Sequence, residues 1–186
     1  MKGLVLAACV ALTAPAALAA PPQTWTVEKP ASSIRFSSSF SGTAFSGSFS
    51  RWSADIRFDP ANLAASRVTA TIDTASAVTG DADRDQALPT ETFLAAARFP
   101  RAVFVAHTFR ALGGGRYEAI GALSLRGVTR PLTLPFTLAT QGGEARMDAT
   151  FDLNRLAFGV GENEWRKTDV LPADVKVTIF LRARRG

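Results

Sequence analysis

The alternation of apolar and polar residues between positions 121 and 138 predicts a β-hairpin. A period of two places successive side chains on opposite faces of a strand, and here one face is apolar and the other polar. Gly127 supplies a flexible turn between the two arms. Pro131 and Pro135 lack the N–H group that a fully paired ladder needs, so the second arm is predicted to be an edge, a bulged strand or a strand with gaps. The apolar face of such a hairpin must be covered by further strands or by a lipid.

The same alternation predicts strands along most of the chain. They are Thr24 to Val27, Ile34 to Phe40, Trp52 to Phe58 with Phe45 to Phe49 leading into it, Arg67 to Ile72, Ala102 to Phe109, Tyr117 to Leu125, Leu132 to Leu138, Ala145 to Leu153 and Val175 to Leu181. Between residues 79 and 100 the period changes, and good helix formers there predict two short helical turns. Eight or nine successive, hairpin-linked strands predict a meander that closes into a barrel and so removes its edges.

The first 19 residues have the pattern of a secretory signal peptide. Met1-Lys2 precede an apolar run, and the small residues end in Ala17-Leu18-Ala19, which fits cleavage after Ala19. The apolar run is too short to span a bilayer. We therefore expect a periplasmic protein with one domain over residues 20–186. The segment 6–9 also resembles a lipoprotein box, which would make Cys9 a lipidated first residue, although the apolar run before it is short for a signal.

An exported barrel could instead span an outer membrane. Against this, the strands are short, and charged residues fall on the face predicted to point outward, where lipid would reject them. These residues are Arg57, Glu118, Arg126, Arg146 and Asp148.

Composition narrows the classes of partner. Removal of residues 1–19 leaves no cysteine, so stability must come from the sheet and core rather than from disulfides. It also lowers the basic count from 21 to 20, which against 16 acidic residues gives a net charge of about +4. The basic residues are mostly spread singly, with one local run at Arg182, Arg184 and Arg185. No basic helix or basic motif interleaved with aromatics is present, so nucleic acid is not an expected partner.

Several short motifs occur in a characteristic order across the chain. They are Phe45-x-Gly47-x-Phe49, Phe58-Asp59-Pro60, Thr79-Gly80 followed by Arg84-Asp85 and Leu88, Phe99-Pro100 with Phe104, Gly121-x-Leu123-x-Leu125-Arg126-Gly127-Val128-Thr129-Arg130-Pro131, and Asn154-Arg155 before Phe158-Gly159 with Trp165 behind. In this order they resemble the YceI family of exported bacterial proteins over essentially the whole chain after residue 19.

The resemblance implies an all-β, lipocalin-like fold: an eight-stranded antiparallel barrel whose hydrophobic interior holds a polyisoprenoid such as an isoprenoid quinone or a prenyl phosphate. This chain departs from the family pattern in three places. A histidine that many members carry after the opening strand is absent from Ser37 to Gly42, Ala87 stands where another often precedes the leucine, and Phe93-Leu94-Ala95 replaces Phe-Phe-Asp. The departures concern contacts with a head group and leave the expectation of an apolar cavity intact.

The aromatic residues permit such a cavity independently. All 3 Trp, 1 Tyr and 13 Phe follow residue 19. An apolar stripe in a strand is ordinarily core, and an eight-stranded barrel is either filled by its side chains or holds one small ligand. Small residues on the same faces, Ala70, Ala119, Gly121 and Ala149, leave room. The predicted cavity residues are Phe36, Phe49, Trp52, Phe58, Phe93, Phe99, Phe104, Leu123, Leu125, Leu134, Phe136, Phe151, Phe158 and Trp165.

A polar end of the cavity would recognise a ligand head group. The candidates are Arg84, Arg126, Asn154 and Arg155, since guanidinium groups match phosphate oxygens in geometry and charge. A surface or strand-pairing role is the alternative for each of them.

The sequence predicts no catalytic or metal-binding residues and no cofactor. His107 is the only histidine, so a multi-histidine metal site is unavailable. It lies mid-strand and no G-x-S-x-G elbow is present, which favours an ordinary strand histidine over a Ser/His/Asp triad. Asp81, Asp83 and Asp85 alternate as in a calcium loop but lack its glycine and closing glutamate, so we expect a solvated turn.

Three functional hypotheses follow. The first is a periplasmic carrier that holds a polyisoprenoid in its barrel and performs no chemistry. The second is a protein that holds an isoprenoid quinone as the redox partner of an inner-membrane cytochrome b. The third is an enzyme, most plausibly a hydrolase. The lipid, the direction of transfer and the choice between monomer and homodimer are left open by the sequence.

Overall fold

The structure is a computed structural model that describes residues 22–186. All of its strands belong to one antiparallel sheet. They are β1 (Thr24–Val27), β2 (Ser33–Phe40), β3 (Thr43–Phe49), β4 (Trp52–Arg57), β5 (Arg67–Asp73), β6 (Ala77–Val78), β7 (Arg101–Gly113), β8 (Arg116–Leu125), β9 (Val128–Gln141), β10 (Glu144–Asn154) and β11 (Asp174–Arg185). The helix α1 spans Ala82–Ala87, and short 3₁₀ helices span Lys29–Ala31, Leu63–Ala65, Thr74–Ser76, Arg155–Phe158 and Asn163–Arg166. The predicted signal peptide, including Cys9, lies outside the described residues.

The eleven strands within residues 22–186 form an eight-stranded barrel, because six short strands are joined in pairs and each pair occupies the position of one long strand. The ring runs β1-β4-β5-β7-β8-β9-β10-β11 and closes where Trp25 of β1 pairs with Arg185 of β11. Strands β2, β3 and β6 continue β1, β4 and β5 toward one end of the barrel, and β2 pairs with the first half of β11. The predicted fold, a lipocalin-like barrel of eight antiparallel strands, is confirmed. No helix within residues 22–186 is long and apolar enough to cross a membrane.

The predicted hairpin forms, and its second arm has the predicted gap. Arg126 and Gly127 make a two-residue turn with φ of 50° and 76°, the positive values that a tight hairpin needs. β9 pairs with β8 from Val128 to Thr137, but with β10 only from Thr137 to Gln141. Alternate residues of a strand point their N–H groups to opposite neighbours. In this register Pro131 and Pro135 have their missing N–H on the unpaired side, where it costs no ladder bond.

The prediction of two helical turns between residues 79 and 100 is half wrong. The first turn is α1, which Asp81 caps by accepting a hydrogen bond from the Arg84 amide at 3.0 Å. The second piece forms irregular turns instead. Ala95 takes a positive φ of 48°, which ends any helix, and it is buried with Leu94 under the barrel end. Burial of Leu94 and Ala95 therefore outweighs their helix propensity.

A β-bulge in β7 changes which residues face the barrel interior. The register with β8 shifts between Ala106 and Thr108, so His107 is the extra residue and lies exposed on the outside. Before the bulge Phe104 and Ala106 point inward, and after it Phe109 does. The single histidine is thus placed away from the barrel interior.

Candidate functional site

The barrel encloses an apolar cavity of about 310 Å³. Ligand cavities in proteins are typically about 300–1,000 Å³, so this volume is at the lower end of that range. Its wall consists almost entirely of apolar side chains from the inward positions of the strands. Ala70 and Ala119, two of the small residues expected to leave room, lie in this wall beside large neighbours such as Phe104. Inward alanines are thus one reason that the interior is not filled.

Packed aromatic rings close one end of the barrel, which we call the aromatic end. The ring of Phe58 lies 5.2 Å from Phe109, 5.4 Å from Tyr117 and 5.7 Å from Phe136, each in an edge-to-face arrangement. Tyr117 and Phe136 stack on each other at 5.4 Å. The indole N–H of Trp25 donates to the Phe58 carbonyl at 2.8 Å, which fixes the loop that carries Phe58. Three strand side chains and Phe58, on a loop anchored to β1, therefore close this end.

Two connecting segments cover the other end, which we call the loop end. They are residues 79–100, between β6 and β7, and residues 155–173, between β10 and β11. The amides of Gly161 and Glu162 donate to the Thr92 carbonyl at 2.9 Å and 3.0 Å, which joins the two segments. Phe93 of the first segment lines the cavity and packs on Trp165 of the second, with ring centroids 5.6 Å apart.

Arg155 organises the second segment from within the core. It is only 3% exposed, and its guanidinium donates five hydrogen bonds, all to backbone carbonyls. The acceptors are the carbonyls of Val160, Gly161, Trp165, Leu171 and Pro172, at 2.6–3.3 Å. Burial lowers the pKa of Arg155. A guanidinium group has five N–H donors, and here all five are in use. Arg155 therefore has no free donor for a ligand head group, and its role in this structure is to hold the second segment together.

Arg126 joins the β8–β9 turn to both covering segments. It was predicted on the outward face, but its side chain is only 12% exposed and points to the loop end. It donates to the Glu162 carboxylate at 2.9 Å and to the Glu91 carbonyl at 2.6 Å. The hydrogen bond from Arg126 to the Glu162 carboxylate holds the pKa of Glu162 below its ordinary value. The positive charges of Arg126 and Arg166 lower this pKa further, whereas burial raises it. Arg126 lines a shallow polar pocket beside the segments rather than the cavity.

The other two candidates for a polar end are also engaged locally. Arg84 lies over the ring of Phe45, with 5.0 Å between its guanidinium carbon and the ring centroid, and pairs with Asp81 at 3.2 Å. The Asn154 side chain accepts from the Ala157 amide at 3.1 Å and thereby begins the 3₁₀ helix Arg155–Phe158. Neither residue lines the cavity, although Phe45 does. The four predicted polar residues therefore lie at the loop end, but they do not come together in one site that could bind a head group.

The predicted apolar residues line the cavity with three exceptions. The residues in the wall are Phe36, Phe49, Trp52, Phe58, Phe93, Phe104, Leu123, Leu125, Leu134, Phe136 and Phe151. Phe99 instead lies against Gly127 and the polar pocket, Phe158 is buried in the core, and Trp165 backs Phe93. These three come from the connecting segments, where strand alternation gives no information on direction.

Sequence reasoning missed one polar residue in the wall. Ser38 lines the cavity, and its hydroxyl is buried without a hydrogen-bond partner. The signal was available, because Ser38 shares its face of β2 with Ile34, Phe36 and Phe40 and so interrupts an apolar row. Within residues 22–186, no group of three or more His, Cys, Asp and Glu side chains could hold a metal ion.

Comparison with known proteins identifies the relatives of this chain. The YceI-like domain family matches residues 25–183. A curated relative, the "UPF0312 protein" of Yersinia pestis (strain Pestoides F), is 35% identical over 141 residues, which cover 73% of this chain and 70% of the relative.

Among solved structures, BcnA of Burkholderia cenocepacia is similar with a TM-score of 0.81 and 29% identity, covering 84% of this chain and 99% of that one. A protein described as a polyisoprenoid binding domain from Saccharophagus degradans has a TM-score of 0.69 at 15% identity, covering 88% and 99%. At that identity the second likeness shows the fold alone.

Proposed function

The chain belongs to the YceI-like family, and from that premise we propose that it binds an isoprenoid lipid in the cavity of its barrel, with the tail inward. The observation that carries the proposal is the cavity of about 310 Å³ with its almost wholly apolar wall. A long hydrocarbon chain is the kind of ligand that such a wall fits. The structural relative described as a polyisoprenoid binding domain adds support by analogy.

The difference between the two ends supports entry of the lipid from the loop end. At the aromatic end a ligand would have to separate four mutually packed rings that are carried by strands or anchored to them. At the loop end it would have to displace only parts of two connecting segments. Segments outside a closed hydrogen-bonded sheet open locally at lower free energy than its strands do.

Apolar contact alone gives little selectivity. Each buried CH₂ contributes about 0.8 kcal/mol relative to water, but an isoprenoid comes from a bilayer, where its tail is already dry. The wall residues of β11 run from Val175 to Ala183, about 26 Å of strand at about 3.3 Å per residue. With a strand tilt of about 40°, the cavity is about 20 Å long along the barrel axis. Tail length, cavity shape and the polar head must therefore determine which lipid is held.

A cavity-filling variant tests the proposal. Protein purified without detergent is expected to carry a prenyl adduct in native mass spectrometry. Ala70→Leu places extra carbon atoms in the cavity and should lower the occupied fraction several-fold. Ala139→Leu makes the same change at an exposed, outward position of β9 and should leave it unaltered. The proposal fails if the wild-type protein carries no adduct and binds no added isoprenoid.

The cellular setting is part of the proposal. We infer from the signal-peptide pattern of residues 1–19 that the mature protein acts in the periplasm. Fractionation of cells, with the intact mass of the exported form, tests both the compartment and the cleavage after Ala19. Redox partnership with a membrane cytochrome b is a further hypothesis. It requires that membranes reduce the bound quinone, which an absorbance change would report.

A further inference from the structure

One hydroxyl group in the cavity wall has no hydrogen-bond partner. It belongs to Ser38, whose Oγ is buried. Arg155 is the other polar residue that residues 22–186 contribute to this wall, and its five donors are already used by backbone carbonyls. An unpaired buried hydroxyl destabilises a protein, and such groups in native structures call for an explanation.

The position of this hydroxyl suits the head of a ligand. Ser38 lies two residues before Phe40, the last residue of β2, and so about 7 Å along the strand from the loop end. Its partner across the sheet is Phe45, which also lines the cavity. A lipid that enters tail first from the loop end would bring its head to this depth.

A bridging water is an unfavourable partner for this hydroxyl. An ordered buried water needs two to four polar partners. Apart from Ser38, the side chains that residues 22–186 contribute to the wall are apolar, except for Arg155, whose donors are all used. A polar atom of a ligand differs from a water, because burial of the apolar chain to which it is attached supplies the favourable free energy. Such an atom can therefore be buried with Ser38 as its single hydrogen-bond partner.

We propose that Ser38 is a specificity-determining residue that donates a hydrogen bond to a neutral oxygen, a carbonyl or hydroxyl, at the head of the isoprenoid. This inference rests on the proposed lipid-binding function and specifies the chemistry of the ligand. A carbonyl oxygen accepts a hydrogen bond from the serine hydroxyl, and this bond replaces the one that each group loses when it leaves water.

A phosphate head does not fit the same position. It carries about −1.5 to −2 charges, and burial of such a charge without a cation is strongly unfavourable. Arg84, whose guanidinium lies over the ring of Phe45, is paired with Asp81 and lies on the same short helical segment as Asp83 and Asp85. The Nε of Arg84 has no hydrogen-bond partner among residues 22–186, but the three acids Asp81, Asp83 and Asp85 accompany this one base, so a phosphate is disfavoured at this side of the loop end as well.

The test compares Ser38→Ala with Ser39→Ala, which removes the same hydroxyl from the neighbouring residue on the opposite face of β2. The probes are three isoprenoids with tails of equal length: a benzoquinone-headed form, a hydrocarbon and a monophosphate. Ser38→Ala should weaken quinone binding about 3- to 10-fold, the effect of one hydrogen bond, and leave hydrocarbon binding unchanged. Ser39→Ala should change neither. Ligand-free Ser38→Ala should unfold at a higher urea concentration than the wild type, since the unpaired hydroxyl is gone.

Three results would overturn the assignment: unchanged quinone affinity in Ser38→Ala, an equal loss for quinone and hydrocarbon, or tighter binding of the phosphate than of the quinone by the wild type. A lower unfolding midpoint of ligand-free Ser38→Ala would show that the hydroxyl has a partner within the protein, which also overturns it. If the wild type binds none of the three probes, the lipid-binding function itself fails. That outcome differs from an intact binder that is insensitive to Ser38.

Discussion

The two ends of the barrel are closed by different means. At the aromatic end, Phe109, Tyr117 and Phe136 project from strands and Phe58 fills the space between them. At the loop end, two connecting segments cover the cavity, and arginines satisfy their backbone carbonyls or join them. Separation of the rings would disturb residues that the closed sheet holds in place, whereas parts of the connecting segments can move while the sheet stays intact.

This difference separates stability from ligand exchange. Packing at the aromatic end should contribute mainly to the free energy of unfolding. Contacts at the loop end should contribute to the rate and selectivity of lipid exchange, except where a buried group such as Arg155 is also part of the core. Substitutions at each end can therefore show whether the division holds.

Phe58→Ala should give the largest effect, because it removes the central ring of the aromatic end. Truncation of a buried Phe typically costs about 3–5 kcal/mol, and Phe58 is only 5% exposed. Urea unfolding measures the loss. Phe180→Ala is the matched control, since this ring lies outside the barrel under Arg146 at 5.0 Å and should cost far less. Equal losses for the two variants would contradict a structural role for the aromatic end.

Arg155→Ala should give the next largest effect, a loss of about 2–4 kcal/mol, because it leaves five backbone carbonyls without their donor. Arg155→Lys should recover little of it, since an ammonium group has three donors and no planar fork. Arg130→Ala is the control, an exposed arginine at the same end with one bond of 3.4 Å to Ala157. If Arg155→Ala kept full stability but lost affinity only for a phosphorylated lipid, the original head-group assignment would be restored.

The case of Arg155 shows where prediction from the sequence stops. The barrel was predictable because inward and outward residues alternate along each strand, as Leu132, Leu134, Phe136 and Leu138 of β9 illustrate. The same pattern correctly implied the gap beside β9, since two prolines mark unpaired N–H positions. In the connecting segments no period links sequence to direction, so the partners of an arginine there depend on how the chain folds back.

The candidate site divides in the same way. The apolar wall came mainly from strand positions, and Ser38 could have been found as the polar residue in an apolar row of β2. Phe99, Phe158 and Trp165 were predicted in the wall and lie elsewhere, because they belong to turns and 3₁₀ helices of the connecting segments rather than to strands. The bulge at His107 was also invisible in the sequence, although it is what turns Phe109 into the barrel.

Phe93→Ala should sharpen the comparison with a small loss of stability and a clear change in ligand exchange. Its ring is only partly buried and links the cavity to Trp165 at 5.6 Å, so the stability loss should be about 1–2 kcal/mol, below the range for a fully buried Phe. Removal of the ring loosens the cover of the cavity, and a fluorescent isoprenoid should dissociate several-fold faster. Phe180→Ala again serves as the control. Unchanged dissociation would place the route of exchange elsewhere.

The smallest expected effect is the pH dependence of the loop end. Because Arg126 lowers the pKa of Glu162 in the folded protein, the folded state binds a proton there less readily than the unfolded state does. The stabilisation from this pair is therefore full at neutral pH and is lost as the pH falls through and below the ordinary glutamate range. Asp85 in the other covering segment behaves similarly, since hydrogen bonds from Thr79 lower its pKa.

Comparison with Glu162→Gln isolates the share of Glu162, because Asp85 titrates in both proteins. The protection factors of the Gly161 and Glu162 amides, which bond to Thr92, should fall on acidification more in the wild type than in the variant, while those of the strands at the aromatic end respond alike in both. A protection factor is the intrinsic exchange rate divided by the observed rate, so it removes the slowing of intrinsic exchange that acid itself causes. Glu118→Gln, which removes the exposed pair with Arg110 on β7 and β8, should leave the response at the loop end as in the wild type. An identical acid response of the Gly161 amide in wild type and Glu162→Gln would mean that the charge of Glu162 does not help to hold the two segments together, and that role would fall to contacts such as the bonds of the Gly161 and Glu162 amides to Thr92.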